Sequence, residues 1–430
     1  MDFPDSPAIG ATVSNGISTW MWNGKQWERA GTGAGGGGGG TDSPNYRYLR
    51  AGASAGGDGL SWATAWDALD DIVLFAGQVV WMAAGTYPSS YLLPWSGTAG
   101  SPVTYKAATA GNHGTATGWN AATMAVDGAA GPVILNGGFN LNYDAPRQYI
   151  TLDGQVRSSL SSGHGTRCIN GSYGDRAGIF AGGEVHNLTV RYVEIGDPAT
   201  LNVGGNIDGI QGKGNGLLVE YCFVHDSDNK GADHGDGCQW FWGANLVFRF
   251  NLFRHCGQHI YMGEDTLGCQ NVQIYYNVFD NKDSGSGGAA GWFLNPGGPT
   301  SGPVSGWAVY NNTVNLNGLG HSSYYVIYPA NLSSLTLKNN AFYDVGVTEL
   351  ASTVHSFNGY DNASTGACSS IPTETGRVAA ADLGFVNAPA GDYRLTSGSP
   401  LRGVGISVGL TMDILGNTVP ATPDIGAFQF

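Results

Sequence analysis

The stretch Asn271-Val-Gln-Ile-Tyr-Tyr-Asn-Val-Phe279 decides the fold, because five similar stretches accompany it along the chain. The six copies start at residues 187, 216, 245, 271, 306 and 334, so successive starts lie 26 to 35 residues apart. Each copy has apolar side chains at its second and fourth positions, which point inward from a strand, and another at its ninth position, beyond a bend. A repeat of this length without helical periodicity is typical of one coil of a β-solenoid, whereas a β-propeller blade needs about 40 residues or more.

The seventh position of the repeat carries asparagine in four successive copies. Asparagines stacked about 4.8 Å apart at a bend would hydrogen-bond along the solenoid axis and satisfy the backbone of the turn. An ordinary β-sandwich, the alternative all-β fold, gives no reason to keep asparagine at one fixed place. The sequence therefore predicts an all-β solenoid over residues 45–390. The residues at the seventh position are, in order, Val193, Cys222, Asn251, Asn277, Asn312 and Asn340.

Composition limits the partners of the chain. Of its 430 residues, 70 are glycine and only 12% are charged, which favours turn-rich β structure with a polar rather than charged surface. A net charge of −14 without a local basic patch argues against nucleic acid and anionic membranes as partners. The sequence shows no long apolar stretch and no basic, apolar leader, so we expect neither membrane insertion nor an export signal. Six widely spaced cysteines predict free, buried thiols: Cys168, Cys222, Cys238, Cys256, Cys269 and Cys368.

The first 32 residues form a separate pattern. Asn23-Gly24 lies between two aromatic segments, as a type I′ β-hairpin requires. Such a hairpin cannot bury its own tryptophans, which therefore need a partner surface. Residues 33–44, rich in glycine, predict a flexible linker between a docking or oligomerisation module and a large body. The tryptophans of the module are Trp20, Trp22 and Trp27.

Both ends of the solenoid are expected to carry a cap. Residues 58–71 place Trp62 and Trp66 on one face of a short helix, with Ser61 at its N-cap. An uncovered end coil would expose strand edges and the apolar core, so we predict that this helix covers the first coil. Residues 391–430 are predicted to form the segment at the other end.

Several stretches resemble a known group of proteins. The opening Asp58-Gly-Leu-Ser-Trp-Ala-Thr-Ala-Trp66, followed by Val79-Val-Trp-Met-Ala-Ala-Gly-Thr-Tyr87, resembles the N-terminal cap and first coil of the pectate-lyase-like superfamily. The ending Asp392-Tyr-Arg-Leu-Thr-Ser-Gly-Ser-Pro-Leu401, with Asp413-Ile-Leu-Gly-Asn417 and Pro423-Asp-Ile-Gly-Ala-Phe428, resembles its frequent C-terminal segment. The resemblance covers about 385 residues. It implies a right-handed parallel β-helix and says little about function.

The N-terminal module carries a second resemblance. Phe3-Pro-Asp-Ser-Pro7 and Trp20-Met-Trp-Asn-Gly-Lys-Gln-Trp27 are similar to short modules at the start of bacteriophage tail fibre and tailspike proteins. This resemblance implies a virion component, assembled in the host cytoplasm and docked on other tail proteins through residues 1–32. Tail symmetry further implies a homotrimer, whose β-helix meets a polysaccharide of the host surface.

Two Asp-Gly dipeptides suggest a catalytic pair. Asp208-Gly-Ile-Gln211 and Asp236-Gly-Cys-Gln239 are 28 residues apart and should lie one above the other on adjacent coils. Two carboxylates about 5 Å apart raise one pKa by mutual repulsion, which gives one acid and one base near neutral pH. We predict Asp208 and Asp236 as the acid and base of a glycosidase-type site, with Glu264 able to replace one of them. The alternative is that both aspartates cap turns through local backbone hydrogen bonds.

Sugar-binding candidates occupy neighbouring positions of the coils. Gln211, Gln239 and Tyr261 are predicted to form a row on the outer face, where they would bond sugar hydroxyls. His259 lies beside Tyr261 in the sequence and is a further catalytic candidate. The aromatic residues Trp240 and Trp242 would stack on sugar rings if they face outward, and would fill the core if they face inward.

The eleventh position of the repeat gives a second polar row. There, a contact between the substrate-binding candidates Asp226 and His255 would raise the histidine pKa and orient His255 as a proton carrier, although a solvated turn is the alternative. The nearby loop His225-Asp-Ser-Asp-Asn-Lys-Gly-Ala-Asp-His-Gly-Asp236 concentrates four carboxylates and two histidines, which could hold Ca²⁺. Because it lacks EF-hand spacing, we predict no required metal or cofactor. The residues at the eleventh position are Asp197, Asp226, His255 and Asn281.

Three functions of the solenoid follow from these observations. The first is a polysaccharide depolymerase, either a glycoside hydrolase or a lyase that would use Lys213 or Lys230 as its base. The second is a polysaccharide-binding protein that does not cleave its ligand. The third is a structural or decorative virion fibre, and a polysaccharide enzyme not attached to a virion is a further alternative.

Overall fold

The structure is a computed structural model that describes most of the chain from residue 45 onward. Before that residue it describes three short strands. The described residues are 12–14, 19–22, 27–30, 45–54, 56–69, 72–88, 92–141, 145–169, 171, 178–196, 208–227, 235–263, 265–281, 292–297, 305–316, 334–345, 353–361 and 373–430.

Nearly all regular structure is β. The exceptions include one short α-helix, α1 (Ala121–Met124), and a 3₁₀-helix at Ala388–Ala390. The strands in chain order are β1 (Thr12–Ser14), β2 (Thr19–Trp22), β3 (Trp27–Ala30), β4 (Tyr46–Leu49), β5 (Val79–Met82), β6 (Gly85–Pro88), β7 (Val103–Ala107), β8 (Val133–Asn136), β9 (Phe139–Leu141), β10 (Arg147–Asp153), β11 (Thr166–Ile169), β12 (Ile179–Arg191), β13 (Val193–Ile195), β14 (Ile210–Lys213), β15 (Leu218–Glu220), β16 (Phe223–Ser227), β17 (Asp236–Trp240), β18 (Gly243–Arg249), β19 (Leu252–Cys256), β20 (Gln258–Met262), β21 (Cys269–Tyr275), β22 (Val278–Asp280), β23 (Trp292–Asn295), β24 (Trp307–Tyr310), β25 (Thr313–Asn315), β26 (Leu335–Lys338), β27 (Ala341–Tyr343), β28 (Thr353–Ser356), β29 (Gly359–Asp361), β30 (Val378–Ala380), β31 (Phe385–Asn387) and β32 (Asp392–Leu395).

The N-terminal strands form a small antiparallel sheet. Strand β2 pairs with β1 on one side and with β3 on the other. The predicted hairpin is present between β2 and β3, but its register pairs Trp22 with Trp27. Four residues, 23–26, therefore separate the strands. The predicted type I′ turn at Asn23-Gly24 lies outside the described residues.

The body of the chain is the predicted right-handed parallel β-helix. Sheet 1 contains β4, β5, β7, β10, β12, β15, β18, β21, β24, β26 and β28. Sheet 2 contains β6, β8, β11, β13, β16, β19, β22, β25, β27, β29 and β30. Sheet 3 contains β9, the first half of β12, β14, β17, β20 and β23. A complete coil, such as β14, β15 and β16, places one strand in each sheet, and every pairing within these sheets is parallel among the described residues.

The register of the sheets confirms the phase of the repeat. The fourth-position residues pair with one another along sheet 1, and the ninth-position residues pair along sheet 2. Both sets are buried in one continuous apolar core. The fourth-position residues are Val190, Val219, Phe248, Ile274, Val309 and Leu337. The ninth-position residues are Ile195, Val224, Phe253, Phe279, Val314 and Phe342.

The asparagine ladder also forms as predicted, at the bend between sheets 1 and 2. Each asparagine Oδ1 accepts hydrogen bonds from the backbone N–H and the side-chain amide of the asparagine in the preceding coil, at 2.9–3.1 Å. At the first step, the Cys222 N–H donates to Asn251 Oδ1 at 2.8 Å. Asn358 extends the ladder by one coil, and Glu374 accepts hydrogen bonds from both its backbone N–H and its side-chain amide.

The residue before each ladder position adopts a left-handed backbone conformation. Tyr192, Tyr221, Phe250 and Tyr276 have φ between 52° and 60°, which is strained for bulky side chains. Their rings stack on one another outside the bend, with centroids 4.8 Å apart for the first pair and 4.9 Å for the second. The ladder and the ring stack together stabilise a left-handed turn that these residues disfavour on their own.

The first coil is covered, but not by the predicted helix. Trp62 is fully buried and packs against Tyr48, with ring centroids 4.9 Å apart. Among the described residues of 58–71, however, no α-helix is present. The backbone of Trp66 bonds to the Tyr48 carbonyl and the Arg50 N–H, while Asp58 Oδ1 accepts the Leu60 N–H in a tight turn. The helical spacing of the tryptophans was misleading because local turns and strand pairing take up these backbone groups.

The C-terminal segment lies along the side of the solenoid. Ile414, Ala427 and Phe428 pack in one apolar cluster with the outward-facing Phe250 and Tyr276. The prediction that residues 391–430 form the segment at the other end of the solenoid stays a prediction. A lateral position covers apolar side chains that an uncovered outer face would leave in water.

Arg157 fastens this segment to the solenoid. Its guanidinium donates to the Phe250 carbonyl at 2.9 Å and to the Ile414 carbonyl at 2.7 Å, and it lies over the Tyr221 ring. No helix in the described part of the chain is long and apolar enough to cross a membrane.

Five of the six cysteines are free and buried, as predicted, and Cys368 lies outside the described residues. Burial raises the pKa of Cys222 and of Cys269 to about 12, and also raises the pKa of Cys168 and of Cys238. We expect these thiols to resist iodoacetamide at pH 8 in the folded protein, because the reactive thiolate is not formed. Peptide mapping by mass spectrometry, with a denatured sample as control, checks this. Rapid labelling of Cys222 in the folded protein would contradict it.

Candidate functional site

Polar side chains lie in register along the outer face of sheet 3. At one shared register position, strands β14, β17, β20 and β23 place an apolar residue in the core: Ile210, Cys238, Ile260 and Leu294. The next residue of each strand points to the opposite face. The structure therefore brings the three predicted residues together and adds a fourth, which sequence reasoning missed because its coil departs from the regular spacing. These four residues, named the polar row, are Gln211, Gln239, Tyr261 and Asn295.

Hydrogen bonds hold the side chains of the polar row. The Gln211 side-chain amide donates to Gln239 Oε1 and to Asp208 Oδ2, each at 3.0 Å. The Asn295 amide donates to Gln258 Oε1 on the neighbouring strand at 2.7 Å. Gln211 and Gln239 are buried and Tyr261 is half-buried, so the row has a defined geometry.

Asp208 and Asp236 occupy equivalent positions of adjacent coils, as predicted. The Asp236 backbone N–H donates to Asp208 Oδ1 at 2.9 Å, so both Asp208 oxygens accept hydrogen bonds. The backbone hydrogen bond to Asp208 comes from the adjacent coil, 28 residues away, whereas the alternative of a turn cap predicted a local one. The glycines after the aspartates are required by close packing, because a Cβ on Gly209 would lie 2.6 Å from the Gly237 carbonyl oxygen. Both carboxylates are buried.

Two predicted site residues face the core. Trp240 is fully buried among core residues and donates its indole N–H to the Gly214 carbonyl at 2.9 Å. The His259 ring is fully buried and packs edge-on against the core residue Phe279. The prediction that Trp240 binds sugar is wrong, because strand alternation places Gln239 outside and Trp240 inside. The catalytic role of His259 stays a prediction, which its full burial does not favour.

The remaining predicted residues fall into two groups. Trp242 is half-buried and follows the end of β17. Glu264, Asp197 and Lys230 lie outside the described residues.

A chain of ion pairs runs along the outer face of sheet 2. The predicted contact is present: His255 Nδ1 lies 2.9 Å from Asp226 Oδ1. His225 Nδ1 lies 2.8 Å from the other oxygen of Asp226, and His225 Nε2 lies 3.4 Å from Glu194 Oε1. Arg167 Nη2 completes the chain 2.9 Å from Glu194 Oε1. Glu194 was missed although it stands at the outward eighth position of the repeat, where a charged residue is itself a signal.

These contacts shift the pKa values of the ion-paired residues. Burial alone would raise the pKa of Asp226, but hydrogen bonds from His225 and His255 outweigh it and hold that pKa well below its usual range. Burial would lower the pKa of His225, yet its bonds to Asp226 and Glu194 raise it overall. Burial alone would raise the pKa of Glu194. The hydrogen bond from His225 and the charge of Arg167 outweigh burial, so the pKa is lowered overall. The charged forms of all three groups are therefore favoured.

The Asp226→Asn variant should lose stability in a pH-dependent way. Asparagine keeps the shape of the side chain and tolerates the positive φ of 56° at this position. The interactions that raise the His225 pKa stabilise the fold fully below about pH 6.5, the ordinary histidine pKa. This stabilisation is lost as the pH rises through the raised pKa. The hydrogen bonds that lower the Asp226 pKa stabilise the fold above about pH 4, the ordinary aspartate pKa. This stabilisation is lost as the pH falls through the lowered pKa.

We expect Asp226→Asn to cost about 1–3 kcal/mol near pH 5.5 and progressively less toward pH 9. Urea unfolding at several pH values measures this. Glu184→Gln, which removes a more exposed partner of His186, is the control and should cost below about 1 kcal/mol. A cost for Asp226→Asn that does not change with pH would refute the linkage.

The loop proposed for Ca²⁺ is described only at its two ends. Residues 228–234 lie outside the described residues. Where the structure does describe side chains, no three His, Cys, Asp or Glu residues are grouped so that they could hold a metal ion.

No protein-family model and no curated protein matches the chain. Among solved structures, the chain is similar to one described as a crystal structure of pectate lyase Pel9A, with 13% sequence identity and a TM-score of 0.47. The match covers 89% of this chain and 96% of that one.

Proposed function

We propose that this protein is a phage tailspike or tail-fibre-like virion protein that recognises a polysaccharide of the host surface. The observation that carries the proposal is the polar row on sheet 3. A solenoid repeats its outward side chains about every 4.8 Å, so a polymer lying along the axis meets the same chemistry several times. Amide side chains both donate and accept hydrogen bonds, as recognition of sugar hydroxyls requires.

The N-terminal sheet supplies the second half of the proposal. Its tryptophan-rich strands and their similarity to tail modules favour docking on other virion tail proteins through residues 1–32. Assembly in the host cytoplasm and a homotrimer, matched to tail symmetry, belong to the same proposal.

A catalytic version of the proposal is favoured by the stacking of Asp208 and Asp236 beside the polar row. Asp208 and Asp236 stay together as the candidate acid and base, and both carboxylates are buried beside Gln211. The reaction would be hydrolysis if Asp236 acts with a second carboxylate, and elimination if a lysine removes the proton.

One assay separates cleavage, binding and a purely structural role. The full chain is incubated with polysaccharides from candidate hosts, with Ca²⁺ or with a chelator, and reducing ends and the absorbance of unsaturated sugars are followed. Products that disappear in Asp236→Asn support the depolymerase, and unsaturated products identify elimination.

Binding is measured on the same samples by co-elution. We expect Gln239→Ala to weaken binding of intact polysaccharide at least tenfold, since the row would lose an acceptor and a donor. Thr336→Ala, on the outer face of sheet 1, is the control and should bind normally. If the wild-type chain neither binds nor cleaves any host polysaccharide, the structural fibre replaces this proposal.

A further inference from the structure

A cleft lies against the outer face of sheet 2, apart from the polar row. It has a volume of about 540 Å³, within the range of small-ligand sites. Its floor includes Arg167 and Glu194 on strands β11 and β13, and segments 126–132 and 156–164 form its walls. The polar side chains that line it are Asp127, Arg157, Ser158, His164, Arg167 and Glu194.

His164 is the least satisfied polar side chain of the cleft. It is only 2% exposed, and neither ring nitrogen has a hydrogen-bond partner. Burial and the charge of Arg157 lower the pKa of His164 to about 4, against the opposing effects of the Glu194 charge and of the Tyr221 backbone. At neutral pH the ring is therefore uncharged and offers one donor and one acceptor. Native proteins rarely bury such atoms without a partner.

The charges of the cleft are balanced. Arg167 Nη2 forms an ion pair with Glu194, while the buried Nε of Arg167 has no hydrogen-bond partner. Arg157 donates to two backbone carbonyls, and Asp127 accepts the Ala110 N–H. A bound anion would have to face both Asp127 and Glu194, whereas hydroxyl groups can accept from arginine and donate to carboxylates.

Apolar surface accompanies these groups. Val126, Pro132 and Val156 line the same cleft. Apolar walls with a few fixed donors and acceptors suit a sugar ring, which presents C–H faces and hydroxyl edges.

We infer that this cleft binds one or two rings of a neutral saccharide, with His164 and Arg167 Nε meeting ring hydroxyls. The inference goes beyond the function proposed above, because the cleft and the polar row lie on different sheets. It stands even if the polar row binds nothing.

The test uses the full chain with histidine rings labelled for NMR. Maltose and lactose are titrated as neutral probes, and digalacturonate as the anionic probe. We expect a neutral disaccharide to shift the His164 ring resonances saturably and to bind at least tenfold more tightly than digalacturonate. His164→Phe keeps an aromatic ring beside Phe223 and should weaken binding at least tenfold, while His186→Phe, on sheet 1, should leave it unchanged.

Two further variants serve as controls. The first tests for loss of binding through misfolding, and the second tests whether the polar row contributes to the His164 shift. Asp127→Asn removes a charge from the more exposed rim and should weaken neutral binding about threefold while leaving the fold intact. Gln211→Ala combined with Gln239→Ala should leave the His164 shift unchanged. The inference is overturned if no neutral disaccharide shifts His164, if digalacturonate binds more tightly, or if a folded His164→Phe protein binds like wild type.

Discussion

Replacing Asn277 by alanine is expected to lower the free energy of unfolding by about 3–5 kcal/mol, among the largest effects of any single substitution in this chain. Asn277 is fully buried in the middle of the ladder. Its Oδ1 accepts from the Asn251 N–H and side-chain amide, and its own amide donates to Asn312 and to the Phe248 and Tyr275 carbonyls. Alanine would leave several of these groups buried without partners, at about 1–3 kcal/mol each.

The exposed Asn215 provides a matched control. Its Oδ1 accepts a single hydrogen bond from the Ala244 N–H at 2.8 Å. Asn215→Ala should cost about 1 kcal/mol or less, because water can satisfy the exposed N–H. Urea unfolding followed by circular dichroism compares the two variants. Equal costs would mean that the ladder follows from the coils instead of stabilising them.

The ladder could be predicted from sequence because stacking turns a sequence repeat into spatial contact. Once Asn251 and Asn277 are placed at the same phase, the pitch of the sheet brings their amides together. The same reasoning placed Gln211 above Gln239 and Asp226 beside His255. Each of these contacts depends only on the repeat and on strand alternation.

Features without a repeat could not be predicted in the same way. Phe428 packs near Phe250 although 178 positions separate them in the chain, and no local pattern links the two. The cleft around His164 is formed by two insertions of unrelated sequence against sheet 2, so its residues share no common spacing. At Trp62 and Trp66, helical periodicity was present but competed with turns that side-chain oxygens stabilise.

From the sequence, the Trp240 side chain could face either the core or the outer face of sheet 3. The answer decides which residue a binding experiment should change. Gln239 and Trp240 are adjacent, so only one of them can contact a ligand on the outer face of sheet 3. Any account of polysaccharide recognition must therefore separate the stability effect of the tryptophan from the binding effect of the glutamine.

Trp240→Ala should reduce the free energy of unfolding by about 3–5 kcal/mol, because it leaves a cavity in the core and the Gly214 carbonyl without its indole donor. The ring fits closely over the preceding coil, where a Cβ on Gly212 would lie 2.6 Å from Trp240 Cζ3. Trp242→Ala, two residues later and half-buried, is the matched control and should cost about 1 kcal/mol. Urea unfolding measures both variants, and polysaccharide co-elution is measured where each remains folded. A Trp240→Ala protein that keeps wild-type stability but loses polysaccharide would return Trp240 to the outer face and overturn the register of sheet 3.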